Sequence, residues 1–176
     1  MDKIQNPWSV PVDVEDIPDT GLHVEIDAPE AVRAVLRGLA SLRELPRLSA
    51  VFDLARQGAG VRVTGQVSAR VGQTCVVTLE PVESNLEEPV ELVFEPALAE
   101  PAKAGTVDLG THDEDSPEPL VGGKLDLGAI ATEFLLLGID PYPRKAGAEF
   151  APLKADDGSA RPFAALEALK KRFGSG

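Results

Sequence analysis

Few side chains in this 176-residue chain are of types that could run a reaction, and their spacing is poor for doing so. There is one cysteine, Cys75, and there are two histidines, His23 and His112. A nucleophilic thiol needs a base beside it, and the sequence names none. A structural zinc wants four ligands, which one cysteine and two scattered histidines do not supply. Cys75 is therefore expected to be a small apolar strand residue facing the core, in phase with Val77 and Leu79. His112 is flanked by Asp113, Glu114 and Asp115, but the spacing does not match a calcium loop. That run reads as solvated charge, and both histidines as surface residues. No GxxxxGK(S/T), GxSxG or HExxH pattern occurs. No catalytic residue, cofactor or metal is assigned. A metal-assisted hydrolase using clustered acids has nothing behind it but carboxylate abundance.

The binding chemistry is richer. Arg33 and Arg37 lie four apart on one face of an expected helix, and Arg62 and Arg70 share the polar face of an expected strand. Every base between residues 30 and 72 is arginine, whose planar guanidinium makes bidentate contacts to phosphates and carboxylates. The competing reading pairs these arginines with Glu91, Glu95 or an acidic loop of the same molecule. No stacking aromatics alternate with them, which weakens direct single-strand RNA binding. Asp140-Pro141-Tyr142-Pro143-Arg144 offers a second surface. Its prolines hold the backbone extended, which lowers the ordering cost of binding, and Tyr142 and Arg144 are residue types favoured at hot spots. The alternative is a rigid helix stop with Tyr142 packed on the sheet.

The net charge of −12 is unevenly placed. Residues 80–119 carry twelve acids against one lysine, and residues 1–29 seven acids against Lys3. Residues 30–72 instead carry seven arginines against three acids. Whole-molecule repulsion opposes nonspecific binding to phosphate backbones, so no DNA partner is expected. The apolar fraction of 43% suffices for a core, which Val, Leu and Ala must fill because aromatics make up only 5%. One cysteine excludes an internal disulfide. No apolar run is long enough to span a bilayer, and MDKIQNPWSV lacks a basic-then-apolar leader, so a soluble cytoplasmic protein is expected.

These side chains must be positioned by regular elements. Residues 1–26 read as an extended arm, with Trp8, Val10, Val12 and Val14 as a strand edge. Asp27-Ala28-Pro29-Glu30 is a helix entry in which Asp27 caps. The helix covers 28–42 with Val32, Val35, Leu36 and Leu39 as its apolar stripe, and Pro46 ends the helix region. Strands are expected over 48–54, 61–71, 74–81 and 89–94, with a tight turn at Gly72-Gln73. In the clearest of them Val61, Val63, Val67, Ala69 and Val71 face one way, and Arg62, Thr64, Gln66, Ser68 and Arg70 the other. Gly65 interrupts the apolar row and marks a bulge or a close approach. Residues 97–118 read as a mobile acidic loop, and 119–123 as a brief return to the sheet.

Residues 125–144 read as a helix start, a buried helix over 127–137, a helix stop and a rigid proline exit. Asp126 caps it, and Leu125 and Ile130 stand at staple spacing. Ile130, Phe134 and Leu137 form its stripe, and Gly138 with the prolines stops it. Residues 144–160 are a linker, followed by a short amphipathic tail helix of Phe163, Leu166, Leu169 and Phe173. The fold class is α+β: a twisted antiparallel sheet curled toward a barrel, with two packed helices and a short C-terminal helix. Residues 1–143 make one domain, and 144–176 its linker and tail.

The helix start Leu125-Asp126-Leu127, the acid at Glu133 and the exit from Asp140 to Arg144 resemble the DUF177 family, also called YceD, of bacterial large-subunit ribosomal RNA accumulation proteins. The run from Gly65 to Val71, then Cys75 to Val82, looks like that family's central block. Arg161-Pro162-Phe163 onward looks like the closing motif of its alphaproteobacterial branch. The resemblance implies a non-enzymatic ribosome-biogenesis factor supporting 23S rRNA accumulation. Its implied partner is a large-subunit ribosomal protein or precursor rRNA. In many members the position of Cys75 begins a CxxC pair, with a further cysteine near the carboxyl end. Here Thr78 holds the second position and no other cysteine exists, so a zinc reading fails on ligand count. The acids from Glu80 to Glu118 favour the protein route, by holding a basic ribosomal protein through electrostatic complementarity. The alternative is an acidic protein–protein adaptor unrelated to ribosomes. No oligomeric state is assigned.

Overall fold

The computed structural model describes residues 6–96 and 117–149. The expected tail helix around Phe163, and all but the last residues of the expected acidic loop, lie outside them. In chain order the elements are β1 (Pro11–Asp13), a 3-10 turn (Val14–Asp16), β2 (Leu22–Asp27), α1 (Glu30–Leu39), β3 (Glu44–Gln57) and β4 (Gly60–Thr74). They continue with β5 (Pro81–Pro96), β6 (Glu118–Leu120), β7 (Lys124–Asp126) and α2 (Leu127–Gly138). The main sheet has the order β2-β3-β4-β5-β6, and β1 pairs with β7 in a separate two-stranded ribbon. Pairing is antiparallel except between β5 and β6. The α+β class is as expected, but the sheet stays open: β2 and β6 are its two ends rather than closing a barrel.

The alternation in β4 sets the inner face. Val61, Val63 and Val67 have no exposed surface, and Ala69 and Val71 are nearly as buried, while Arg62, Gln66 and Arg70 are exposed. In β3, Leu48, Ala50, Phe52 and Leu54 do the same. Gly65 pairs with Phe52 on one side and Val90 on the other. A Cβ at Gly65 would lie 2.0 Å from the Val51 carbonyl oxygen, so of the two expected roles the glycine serves close approach. The register shift falls instead between Glu44 and Arg47, around Pro46, which lacks an N–H for the ladder.

Pro46 therefore does not end a helix. Helix α1 stops at Leu39, and its last turn closes through Leu42 N to the Arg37 carbonyl at 2.9 Å. Asp27 is not its cap either: it is the last residue of β2, paired with Ser49, and Pro29 holds the N-cap position. Only Leu36 of the α1 stripe is fully buried, while Val35 and Leu39 are more than half exposed. The helix packs on β3 toward one end of the sheet, where there is little to cover both flanks of the stripe.

Residues 22–26 of the expected arm belong to the edge strand β2. The rest is tied down. Arg56 Nε donates to the Ile17 carbonyl at 2.7 Å, and its Nη2 donates to the carbonyls of Val14 and Glu15. Trp8 and Ile17 join the core. The arm crosses α2 so closely that a Cβ on Gly128 would sit 2.5 Å from the Trp8 carbonyl oxygen. Asp126 caps α2 as expected, accepting from Ala129 N at 3.1 Å. Helix α2 covers β4 and β5 through Ile130, Ala131 and Leu135. It is less buried than its composition suggested, since Leu137 is 72% exposed.

The expected turn at Gly72-Gln73 and strand over 74–81 are both corrected. Gly72 and Gln73 lie inside β4, paired with Glu83 and Val82. The chain reverses instead over 75–80, where Leu79 N donates to the Cys75 carbonyl at 3.0 Å and Cys75 N to the Glu80 carbonyl at 2.8 Å. Leu79 adopts φ 61° and is 74% exposed. A leucine in the left-handed region is strained, and local alternation had masked the turn.

Candidate partner-binding surfaces

The arginines do not form one face. Arg62 is ion-paired with Glu91, and Arg70 with Glu83 at 2.5 Å, each reaching diagonally from β4 to β5. Arg62–Glu91 is a pair that the competing reading named, whereas Arg70 meets Glu83, which it did not name. Eight residues of strand, about 26 Å, separate the two. Arg33 Nη1 donates to the Ala28 carbonyl at 2.5 Å. Arg33 and Arg37 line a concavity of about 290 Å³ with Glu30, Glu44 and Pro46. Sequence reasoning passed over Arg47, which stands directly opposite Arg70 in the β3–β4 register. Like charges so placed disfavour the sheet slightly, and Glu83 relieves this on one side only. His23 is a surface residue opposite Asp53, whose hydrogen bond at 2.7 Å raises the histidine pKa.

The exit from α2 and the 75–80 turn form a second surface, a single rigid corner. Asp140 Oδ1 accepts from Tyr142 N at 2.8 Å, and the Asp140 carbonyl accepts from Gln73 Nε2 at 2.8 Å. Val76 N donates to the Pro143 carbonyl at 2.9 Å, and Lys145 Nζ pairs with Glu80 at 2.8 Å. That pairing lowers the pKa of Glu80 and raises that of Lys145. Pro143 is buried, and Pro141 and Arg144 are exposed. Tyr142 is 71% exposed rather than packed on the sheet. Val76 and Leu79 expose apolar surface from the same turn. Motif residues far apart in sequence thus hold a tyrosine, an arginine and a leucine outward on a braced backbone.

Cys75 is buried at this corner, at the end of β4 and not in a strand phase with Val77 and Leu79. Its sulfur accepts from Thr78 N and Lys145 N, each at 3.4 Å. The donor set does not fit a metal, because what Thr78 and Lys145 bring to the sulfur is hydrogen-bond donors rather than ligands. Among the described residues no three His, Cys, Asp or Glu side chains cluster for a metal ion. The Thr78 side chain, then the Lys145 and Thr78 amides, lower the thiol pKa from 9.0 to about 6. A folded-state pKa below the unfolded value stabilises the fold at high pH, and the contribution is lost as pH falls through about 6. The urea midpoint of the parent should therefore exceed that of Cys75→Ala by more at pH 8.5 than at pH 5.5. A constant gap would show that the thiol does not ionise.

The third surface was not legible in the sequence. Between α2 and the end of β5, a groove of about 410 Å³ is floored by Leu92, Phe94 and Ile130. Val121 and Leu137 form its exposed lips, and Glu118 and Glu133 its acidic rim. Glu133 thus points to this groove and not to the corner. Beside it, β5 carries Glu83, Glu87, Glu88, Glu91 and Glu95 and no base. No helix among the described residues is long and apolar enough to cross a membrane.

A family model described as large ribosomal RNA subunit accumulation protein YceD matches residues 63–170, more than half of the chain. The match takes in β4 from residue 63 onward, the 75–80 turn, β5, α2 and the proline exit. No curated protein and no solved structure matches the chain.

Proposed function

The chain belongs to the YceD family of large ribosomal RNA subunit accumulation proteins, and on that premise we propose that it supports 23S rRNA accumulation by binding a basic large-subunit ribosomal protein before assembly. The family match carries the first half of this reading. The acidic row on β5 and the braced corner at Tyr142 support the second. Direct RNA binding is the weaker route, because Arg62 and Arg70 already face carboxylates of the same chain. No reaction is assigned to the lone thiol, which is buried and held by the Thr78 and Lys145 amides.

Depletion in the host is expected to lower 23S relative to 16S rRNA. An unchanged ratio, with depletion confirmed and no second family member present, would overturn the reading. Complementation then tests the corner. Tyr142 is exposed, so Tyr142→Ala should fold with stability within about 0.5 kcal/mol of the parent. It is nonetheless expected to leave the 23S ratio low. Full restoration would remove Tyr142 from the binding surface.

A further inference from the structure

We propose that the open edge of β5 is a strand-addition site for an extended, basic segment of the partner protein. This rests on the protein-partner reading above. Strand β5 pairs with β4 from Pro81 to Phe94, whereas β6 takes its other side only from Phe94 to Pro96. Among the described residues, 81–93 have no strand neighbour on that second side. An edge of this length presents a row of backbone N–H and C=O groups to any chain that can lie along it. Pro89 in the middle of β5 fits a strand with one free side, since a proline is poorly tolerated between two ladders.

Charge selects what can add there. Of the five glutamates on β5, Glu83 and Glu91 are held by arginines of β4. Glu87 and Glu95 have no ion-pair partner among the described residues. The row repels a second copy of the same strand. It also repels the chain's own 97–116 segment, which carries five acids and one lysine. A basic strand meets no such penalty, so the same residues guard against self-pairing and admit the intended partner. The edge runs out at the groove, where Leu92 and Phe94 of β5 face Phe134 and Leu137 of α2. Side chains of an added strand alternate between faces. The segment that fits therefore has Lys or Arg on one face and apolar residues on the other, as in other strand-addition complexes.

The test uses the full-length protein and purified large-subunit ribosomal proteins, added one at a time, with amide hydrogen exchange as the readout. At least one should bind at low salt, weaken as salt rises, and slow exchange along 82–93. The double variant Glu87→Lys/Glu95→Lys, exposed at both positions, should keep its circular dichroism and lose about ten-fold or more in affinity. Binding with protection confined to other residues, or with unchanged affinity in the double variant, overturns the edge and leaves the carrier reading standing. Failure of every ribosomal protein to bind overturns both. Half of these amides already bond to β4, so the readout is the amides that point away from it; slow exchange of those in the free protein would mean that its own chain or a second copy occupies the edge, which also overturns the proposal.

Discussion

Gly65→Ala is expected to cost more than about 3 kcal/mol, enough to leave much of the protein unfolded at moderate urea. The added methyl would lie 2.0 Å from the Val51 carbonyl oxygen and 3.0 Å from Phe52 Cα. Both are backbone atoms of β3, so no rotamer change can relieve the clash. Strands β3 and β4 must separate where Phe52 faces Gly65 and Ala50 faces Val67. Separation there opens the most buried part of the core, where Phe52, Val63 and Val67 have no exposed surface. The matched control is Gly38→Ala. Gly38 lies in α1, and nothing stands within 4 Å of its added Cβ. That change should stabilise by about 0.5–1 kcal/mol, by removing helical glycine's entropy cost. Urea midpoints of the two variants read both signs together. A Gly65→Ala midpoint equal to the parent's would show that the strands do not approach as closely as described.

Asp126→Ala is expected to cost roughly 3 kcal/mol, about 10 °C in melting temperature for a body of this size. One carboxylate serves three donors from two parts of the chain. Its Oδ1 accepts from Ala129 N at 3.1 Å and from Val10 N at 2.8 Å, and its Oδ2 accepts from Ser9 Oγ at 2.7 Å. The first bond caps α2 and the other two fasten the arm. Alanine leaves the Ala129 and Val10 amides without this acceptor, and the start of the arm then rests on Leu127 N to the Val10 carbonyl and on the short β1–β7 ribbon. Asp126→Asn retains an acceptor and loses the charge, so it should recover about half of the loss. A loss near 1 kcal/mol for the alanine variant, the usual worth of a cap, would mean that the arm bonds contribute nothing.

Both residues were visible in the sequence, but each with only part of its role. Asp126 read as a helix cap because capping is local: the acceptor and the amide are three residues apart. Its grip on Ser9 and Val10 joins residues more than one hundred positions apart, and no spacing rule reaches that far. Gly65 read as a bulge or a close approach because a glycine in an apolar row has no local reason to be there. Which of the two it served depended on how near β3 came.

The alternation of Val61 to Val71 determined the inner and outer faces of β4, because period-two burial is a property of the strand itself. The apolar run ending at Gly138 and two prolines determined α2 in the same way. The folded chain decided the rest. It moved the turn from Gly72-Gln73 to residues 75–80, where contacts with Pro143 and Lys145 hold a leucine at φ 61°. It divided the arginines, because strand rise places Arg62 and Arg70 beside different glutamates on β5. Among the described residues it left 81–93 of β5 without a second strand neighbour, since β6 pairs only with Phe94 to Pro96. Local pattern fixes which way a side chain points; the neighbour it meets depends on register and closure, which only the assembled sheet sets.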